Sequence, residues 1–251
     1  MYLIKLGGSA LTYKGARPRL RRKVLTSLAA ELAPFGRDLC LVHGGGSFGH
    51  PLAYAHGLHR GLRGDDGVMA FAAVQRRMRD LNGHVLDGLH AAGLPAVSVP
   101  PAPLVRMHAG ELESLATRPF REALKAGLVP VTFGDAALDT GQGAAICSGD
   151  DLMVHLARAL RPDLALFVAD VEGIVGPEGR VLAVIRGEVP NLTWKAPPED
   201  VTGGMRAKVQ RMLDIAREGA RCLLVSGLVP GRVAAALDGK PVPSTEVRWS
   251  G

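Results

Sequence analysis

The residues best suited to chemistry in this sequence are lysines and histidines set beside glycine turns. Lys5 interrupts the apolar run Tyr2-Leu3-Ile4-Lys5-Leu6, which ends at Gly7-Gly8-Ser9. A cation inside a strand needs a partner. It either snorkels to an edge or clamps a phosphate, with the N–H groups of the glycine turn supplying the other contacts. A second apolar run, Asp38–Val42, leads into His43-Gly44-Gly45-Gly46-Ser47-Phe48-Gly49-His50. Three successive glycines at a strand end leave backbone N–H groups free to line an anion-binding concavity. His50 can donate to a phosphate in either protonation state. The plainer alternative is a tight strand-to-helix turn with a capping histidine.

Ser148-Gly149-Asp150-Asp151 also reads in two ways. Ser148 suits a helix N-cap, and the aspartates suit the first turn of that helix. Alternatively, Asp150 holds two active-site lysines through charge-assisted hydrogen bonds. Lys208 follows a further glycine pair at Gly203-Gly204, repeating the first strand's order of glycine turn and lysine. Lys14 lies in the loop after the first glycine turn, and Asp170 closes the apolar run Leu164–Ala169.

The elements that must position these groups follow from periodicity. Helical patterning covers Pro18–Ala33, and Pro51–Asp66 reads as a loop with irregular or short helical structure. Gly67–Ala91 carries an apolar stripe (Val68, Phe71, Val74, Met78, Leu81, Val85, Leu89) that forms a pocket wall or simply packs the core. Strands are expected at 95–100, 129–133, 164–170 and 221–228, with an edge strand at Ser244–Trp249. Between them lie a Pro-rich connector from Pro100, a helix over Phe120–Ala126 and a flexible link at Gly141–Gly143. A helix runs to Ala159, and a hairpin over Val171–Gly187 turns at Gly176–Gly179. This alternation implies an α/β fold with a mainly parallel sheet covered on both faces. Ligands then gather at the carboxyl ends of the strands, where Lys5, the glycine loop, Asp150 and Asp170 all fall.

Composition narrows the function. The 251 residues are 47% hydrophobic and 22% charged, a globular balance. The net charge of +6 suits anionic small substrates. The basic run Arg17–Lys23 opens an amphipathic helix, and three Tyr and two Trp are few for base stacking, so no nucleic-acid partner is expected. No apolar run reaches membrane-span length and no secretion signal is read, which makes the cytoplasm the expected location. Three scattered cysteines suggest neither a disulfide framework nor a zinc cluster.

Taken together, Lys5–Ser9, Lys14, His43–His50, Ser148–Asp151, Ala169-Asp170-Val171-Glu172-Gly173 and Asp200–Lys208 resemble the amino-acid kinase superfamily, and within it the isopentenyl phosphate kinases. The Gly-Gly-Gly-Ser-Phe-Gly-His loop is the most specific piece. The resemblance implies a single three-layer α/β/α domain over 1–251. Its acceptor side would span about 1–135 and its nucleotide side about 136–251. It also implies transfer of the ATP γ-phosphoryl group to isopentenyl phosphate, a step of isoprenoid precursor synthesis, by a homodimer using ATP and Mg²⁺.

By position, Lys5 and Lys208 would hold ATP phosphates, with Gly7, Gly8, Ser9, Gly46, Asp170 and Gly204 also on the nucleotide path. Lys14 would act in the transition state, and Asp150 would orient the lysines. Gly45, His50 and Gly149 would hold the acceptor phosphate. No carboxylate-rich metal cage is read, so Mg²⁺ would be held mainly by ATP phosphates and water. Glu172 departs from the aspartate commoner at its position. The same loop also occurs in kinases acting on the phosphonate fosfomycin. A nucleotide-binding protein that has lost turnover is a further alternative, against which the retained lysines speak.

Overall fold

The computed structural model describes residues 1–194 and 204–250. The chain opens with β1 (Tyr2–Leu6), the single turn α1 (Gly8–Leu11), α2 (Arg22–Leu32), β2 (Leu39–His43), α3 (Gly46–Ala55) and α4 (Gly64–Ala91). It continues through β3 (Ala96–Ser98), β4 (Val105–His108), β5 (Glu111–Leu115), α5 (Arg118–Lys125), β6 (Val129–Phe133), β7 (Asp135–Asp139) and β8 (Gly143–Cys147). The last elements are α6 (Gly149–Leu160), β9 (Leu164–Ala169), β10 (Val184–Arg186), α7 (Gly204–Arg217), β11 (Arg221–Ser226), α8 (Arg232–Leu237) and β12 (Ser244–Arg248).

Eight strands form the main sheet in the order β10-β12-β11-β9-β1-β2-β6-β3, parallel except where β11 meets β12. Its central strands are apolar on both faces, as burial between two helical layers requires. Strand alternation divides them between two cores. Ile4, Leu6, Leu41 and Leu166 pack with α2 and α4, whereas Leu3, Val42 and Phe167 pack with α6 and α7. The three-layer sandwich expected from the sequence is therefore present. The same alternation puts Lys5 on the face of Leu3, toward α6.

Register aligns the strand ends. Leu6 sits level with His43 on one side and Val168 on the other. The turns beyond them interlock: Gly7 N–H donates to Val168 O (2.7 Å), Gly44 N–H to Leu6 O (2.9 Å) and Gly134 N–H to His43 O (3.0 Å).

Several expectations are corrected. A second, four-stranded sheet, β5-β4-β7-β8, occupies the region read as a connector, a strand end and a flexible link; Gly141–Gly143 lies at the tight turn of the β7–β8 hairpin. Asp139 fixes that turn by accepting from the N–H groups of Ala109, Gly110, Gly141 and Gln142. The short helical structure read after Pro51 is present as far as Ala55, but α4 begins at Gly64 instead of Gly67. Helix α2 starts only at Arg22, because Thr12 bridges Leu20 and Tyr13 N–H bonds Arg19 O, making a strap of the preceding residues. Strand β12 is not at the edge; it lies between β11 and β10. Its buried Thr245 is satisfied by donating to Leu182 O and accepting from Ile174 N–H. Only part of the Asp200–Lys208 motif, from Gly204 onward, lies within the described residues.

Candidate active site

At the carboxyl ends of β1, β2, β6 and β9 lies a cleft of about 470 Å³. Every residue given a site role by the sequence lines it, from Lys5 and Gly7 through to Lys208.

One carboxylate and two ammonium groups form its floor. Asp150 sits in the first turn of α6, whose N-cap Ser148 accepts from the N–H groups of Asp150 and Asp151. Capping and lysine binding are thus both true of this segment, since the cap uses backbone N–H and leaves the Asp150 carboxylate free. Its Oδ1 lies 2.6 Å from Lys5 Nζ, and Lys208 Nζ lies 2.9 Å from both oxygens. Burial alone would raise the Asp150 carboxyl, but the charges of Lys208 and Lys5 and their hydrogen bonds hold it far below the usual carboxylate range. Burial lowers Lys5 to about 8 against the attraction of Asp150, and the neighbouring Lys208 adds to the lowering. Two ammoniums share one carboxylate, so the protonated site carries an excess positive charge that incoming phosphates can neutralise.

The rate should therefore fall as pH rises through about 8, where Lys5 loses its proton. A pH–rate profile tests this, because Lys5→Arg should extend activity to higher pH. Stability follows the opposite sign: between about 8 and the ordinary lysine value of 10.5, the unfolded chain holds more protons at this position. Raising pH across that window therefore favours folding at this group.

The glycine turns form the wall above the lysines. Gly46 has φ +48°, and a Cβ there would lie 2.1 Å from Thr12 Oγ1. A Cβ on Gly8 would lie 2.3 Å from Gly46 N, so the two turns approach as only glycines allow. Thr12 and Ser47 tie these turns together, a role that nothing but their polar type signals in advance. Thr12 Oγ1 donates to Gly8 O (2.8 Å) and accepts from Ser47 N–H (3.0 Å), and Ser47 Oγ accepts from Arg19 N–H (3.1 Å).

Lys14 rides on the strap, which is braced by Arg19 and Arg21 guanidiniums over the Tyr13 ring at 4.0 and 4.4 Å. Its ammonium is exposed and lies 3.1 Å from Asp170 Oδ2. Burial acts to raise the Asp170 carboxyl, yet hydrogen bonds from Ser9 and Lys14, with the Lys14 charge, keep it below its ordinary value. Glu172 turns to Arg232, at 2.9 Å.

Part of the cleft lining is apolar, contributed by Ala53, Val74, Met78 and Ile146. Met78 reaches under the glycine loop, where a Cβ on Gly45 would meet its Sδ at 3.1 Å. The stripe on α4 thus splits. Val74 and Met78 line the cleft, whereas Val68 is 52% exposed and takes no part in the wall. Asp135, read only as a strand end, also lines the cleft. Its carboxyl is pushed up to about 6 by burial, against the pull of Arg79, whose Nη1 is 2.9 Å away. Among the described residues no group of three or more His, Cys, Asp or Glu side chains could hold a metal ion.

Known proteins share this fold. Residues 1–226 match the amino acid kinase family. Isopentenyl phosphate kinase of Methanothermobacter thermautotrophicus is 34% identical, with 98% of each chain covered. A crystallographic isopentenyl phosphate kinase superposes with a TM-score of 0.85 at 32% identity, covering 98% of this chain and 99% of that one. The product complex of the Thermoplasma acidophilum isopentenyl phosphate kinase gives 0.82 at 29% identity, over 99% and 100% of the two chains. The interlocked glycine turns and the lysine pair on one aspartate therefore sit in a chain that belongs to the amino acid kinase family, on its isopentenyl phosphate kinase branch.

Proposed function

We propose that this protein transfers the γ-phosphoryl group of ATP to isopentenyl phosphate, giving isopentenyl diphosphate. One observation carries the reading: the cleft that holds the lysines and glycine turns also carries apolar lining from Ala53, Val74, Met78 and Ile146. A phosphorylated hydrocarbon matches both kinds of lining at once. A compact polar phosphonate such as fosfomycin would leave the apolar lining unused.

In this assignment Lys5 and Lys208 hold the ATP phosphates, with Gly7, Gly8, Ser9, Gly46, Asp170 and Gly204 along the nucleotide. Gly45, Gly149 and His50 hold the acceptor phosphate. Because that acceptor is already ionised, no strong general base is required. The chain's work is to align two phosphates in line and to neutralise charge on the moving group, which falls to Lys5, Lys14, Lys208 and backbone N–H groups. Mg²⁺, brought in with the ATP phosphates, would add to that neutralisation. The acceptor side is assigned to about 1–135 and the nucleotide side to about 136–251, except that the first glycine turn serves the nucleotide. Homodimeric assembly, on the superfamily resemblance, and a cytoplasmic location belong to the same proposal.

His50→Ala should raise KM for isopentenyl phosphate and lower kcat/KM by about 10- to 100-fold, with KM for ATP little changed, because a single charge-assisted hydrogen bond is removed. Steady-state kinetics varying each substrate in turn checks this, and unchanged acceptor kinetics would take His50 out of the site. The function itself is tested by ADP release with isopentenyl phosphate, dimethylallyl phosphate, fosfomycin and N-acetylglutamate as acceptors. Saturable turnover should be highest on isopentenyl phosphate. Preference for fosfomycin, or tight ATP binding without turnover, would replace the proposal.

A further inference from the structure

Beneath the glycine loop runs a hydrogen-bonded chain that the reaction does not touch. His43, the last residue of β2, is fully buried, and its ring stacks on Phe133 with centroids 5.1 Å apart. Its Nδ1 lies 3.1 Å from the Gly44 carbonyl oxygen, and its Nε2 lies 3.2 Å from Nδ2 of Asn82 on α4. The Oδ1 of Asn82 accepts from the Ser98 hydroxyl at 2.6 Å.

Only one neutral assignment of protons satisfies this chain. A carbonyl oxygen can only accept, so Nδ1 carries the proton. Burial pushes the imidazole down to about 4, against the raising effect of the Gly44 hydrogen bond, so the ring is neutral and Nε2 is an acceptor. Asn82 must then turn its NH₂ toward His43, which leaves its oxygen for Ser98.

The consequence falls on the peptide between Gly44 and Gly45. In a planar trans peptide the C=O and the following N–H point in opposite directions. Between two glycines there is no Cβ to resist a flip of that peptide. Holding the Gly44 carbonyl on the core side therefore turns the Gly45 N–H toward the cleft.

We infer that His43 is a positioning residue: through Nδ1–H it locks the Gly44–Gly45 peptide so that the Gly45 N–H faces the acceptor phosphate, and Asn82 and Ser98 fix the tautomer that lets it do so. The inference rests on the assignment of Gly45 to the acceptor phosphate.

Two measurements test it. In ¹⁵N NMR of the wild-type protein, the His43 ring should show a protonated Nδ1 and a bare Nε2 across neutral pH, the tautomer less favoured by free imidazole. A proton on Nε2 would overturn the inference whatever the substrate proves to be. The second measurement compares H43N and H43Q by calorimetric titration with isopentenyl phosphate and, separately, with ATP. The Asn amide nitrogen reaches about where Nδ1 sits, whereas that of Gln reaches about where Nε2 sits. H43Q should weaken acceptor binding about ten-fold, the loss of roughly one hydrogen bond. H43N should weaken it by no more than about three-fold, and ATP affinity should hold in both. Equal losses in the two variants, or parallel loss of ATP, would overturn the positioning role. Absence of isopentenyl phosphate binding in the wild type would instead sink the acceptor assignment, and the NMR result would then decide the peptide lock alone.

Discussion

Asp150→Asn is expected to lower kcat/KM by about 10³-fold and to reduce stability by about 3–5 kcal/mol. The wild-type carboxylate lies 2.6 Å from Lys5 and 2.9 Å from Lys208, and all three side chains are largely enclosed. Asparagine keeps the shape but removes the charge that, alone among the described residues, is paired with these two ammoniums. Lys5, already lowered by burial to about 8, should fall further, so that much of it is neutral at ordinary assay pH. The alkaline limb of the pH–rate profile should move to lower pH. Saturating ATP should narrow the gap in thermal stability from wild type, because its phosphates supply the missing negative charge. Thermal denaturation with and without ATP, alongside steady-state kinetics, tests all of this. Wild-type kinetics in the variant would show that the lysines do not depend on Asp150.

Lys14→Ala should separate catalysis from stability. Its side chain is 74% exposed, and its one ion pair among the described residues, to Asp170, is of the surface kind that contributes at most about 1 kcal/mol. Thermal stability should therefore stay close to wild type. If Lys14 leaves Asp170 to meet the transferring phosphoryl group, kcat should drop by about 10²–10³-fold while KM for ATP moves only a few-fold. A change confined to KM would make Lys14 a ground-state contact. The two variants thus give distinct signatures, a loss of both rate and stability against a loss of rate alone.

Much of the site could be read from the sequence because its residues are anomalous where they stand. Lysine is rarely placed in an apolar strand, and three glycines rarely follow one, so Lys5 and Gly44–Gly46 identify themselves before any fold is known. The central strands were legible because burial on both faces makes them continuously apolar. Residues of ordinary local character were not. Strands β4 and β5 contain Arg106, His108, Glu111 and Glu113 and stand half in solvent, so the small sheet leaves little apolar pattern. Helix α3 runs through Pro51, a residue that normally argues against helix, because packing of Phe48 and Ala53 outweighs the lost backbone bond. Thr245 hid an inner strand because its hydroxyl is satisfied by the loop it faces. Thr12, Ser47, Asn82 and Ser98 act through hydrogen bonds to partners distant in sequence, which no spacing rule reveals.

³¹P NMR of the protein with Mg²⁺-ATP and isopentenyl phosphate distinguishes a cleft that joins one phosphate to another from one that only binds nucleotide. The acceptor's single resonance should give way to the two mutually coupled signals of a diphosphate, in step with the appearance of ADP. Loss of ATP with the acceptor resonance unchanged, or no change in either, would contradict the joining of the two phosphates.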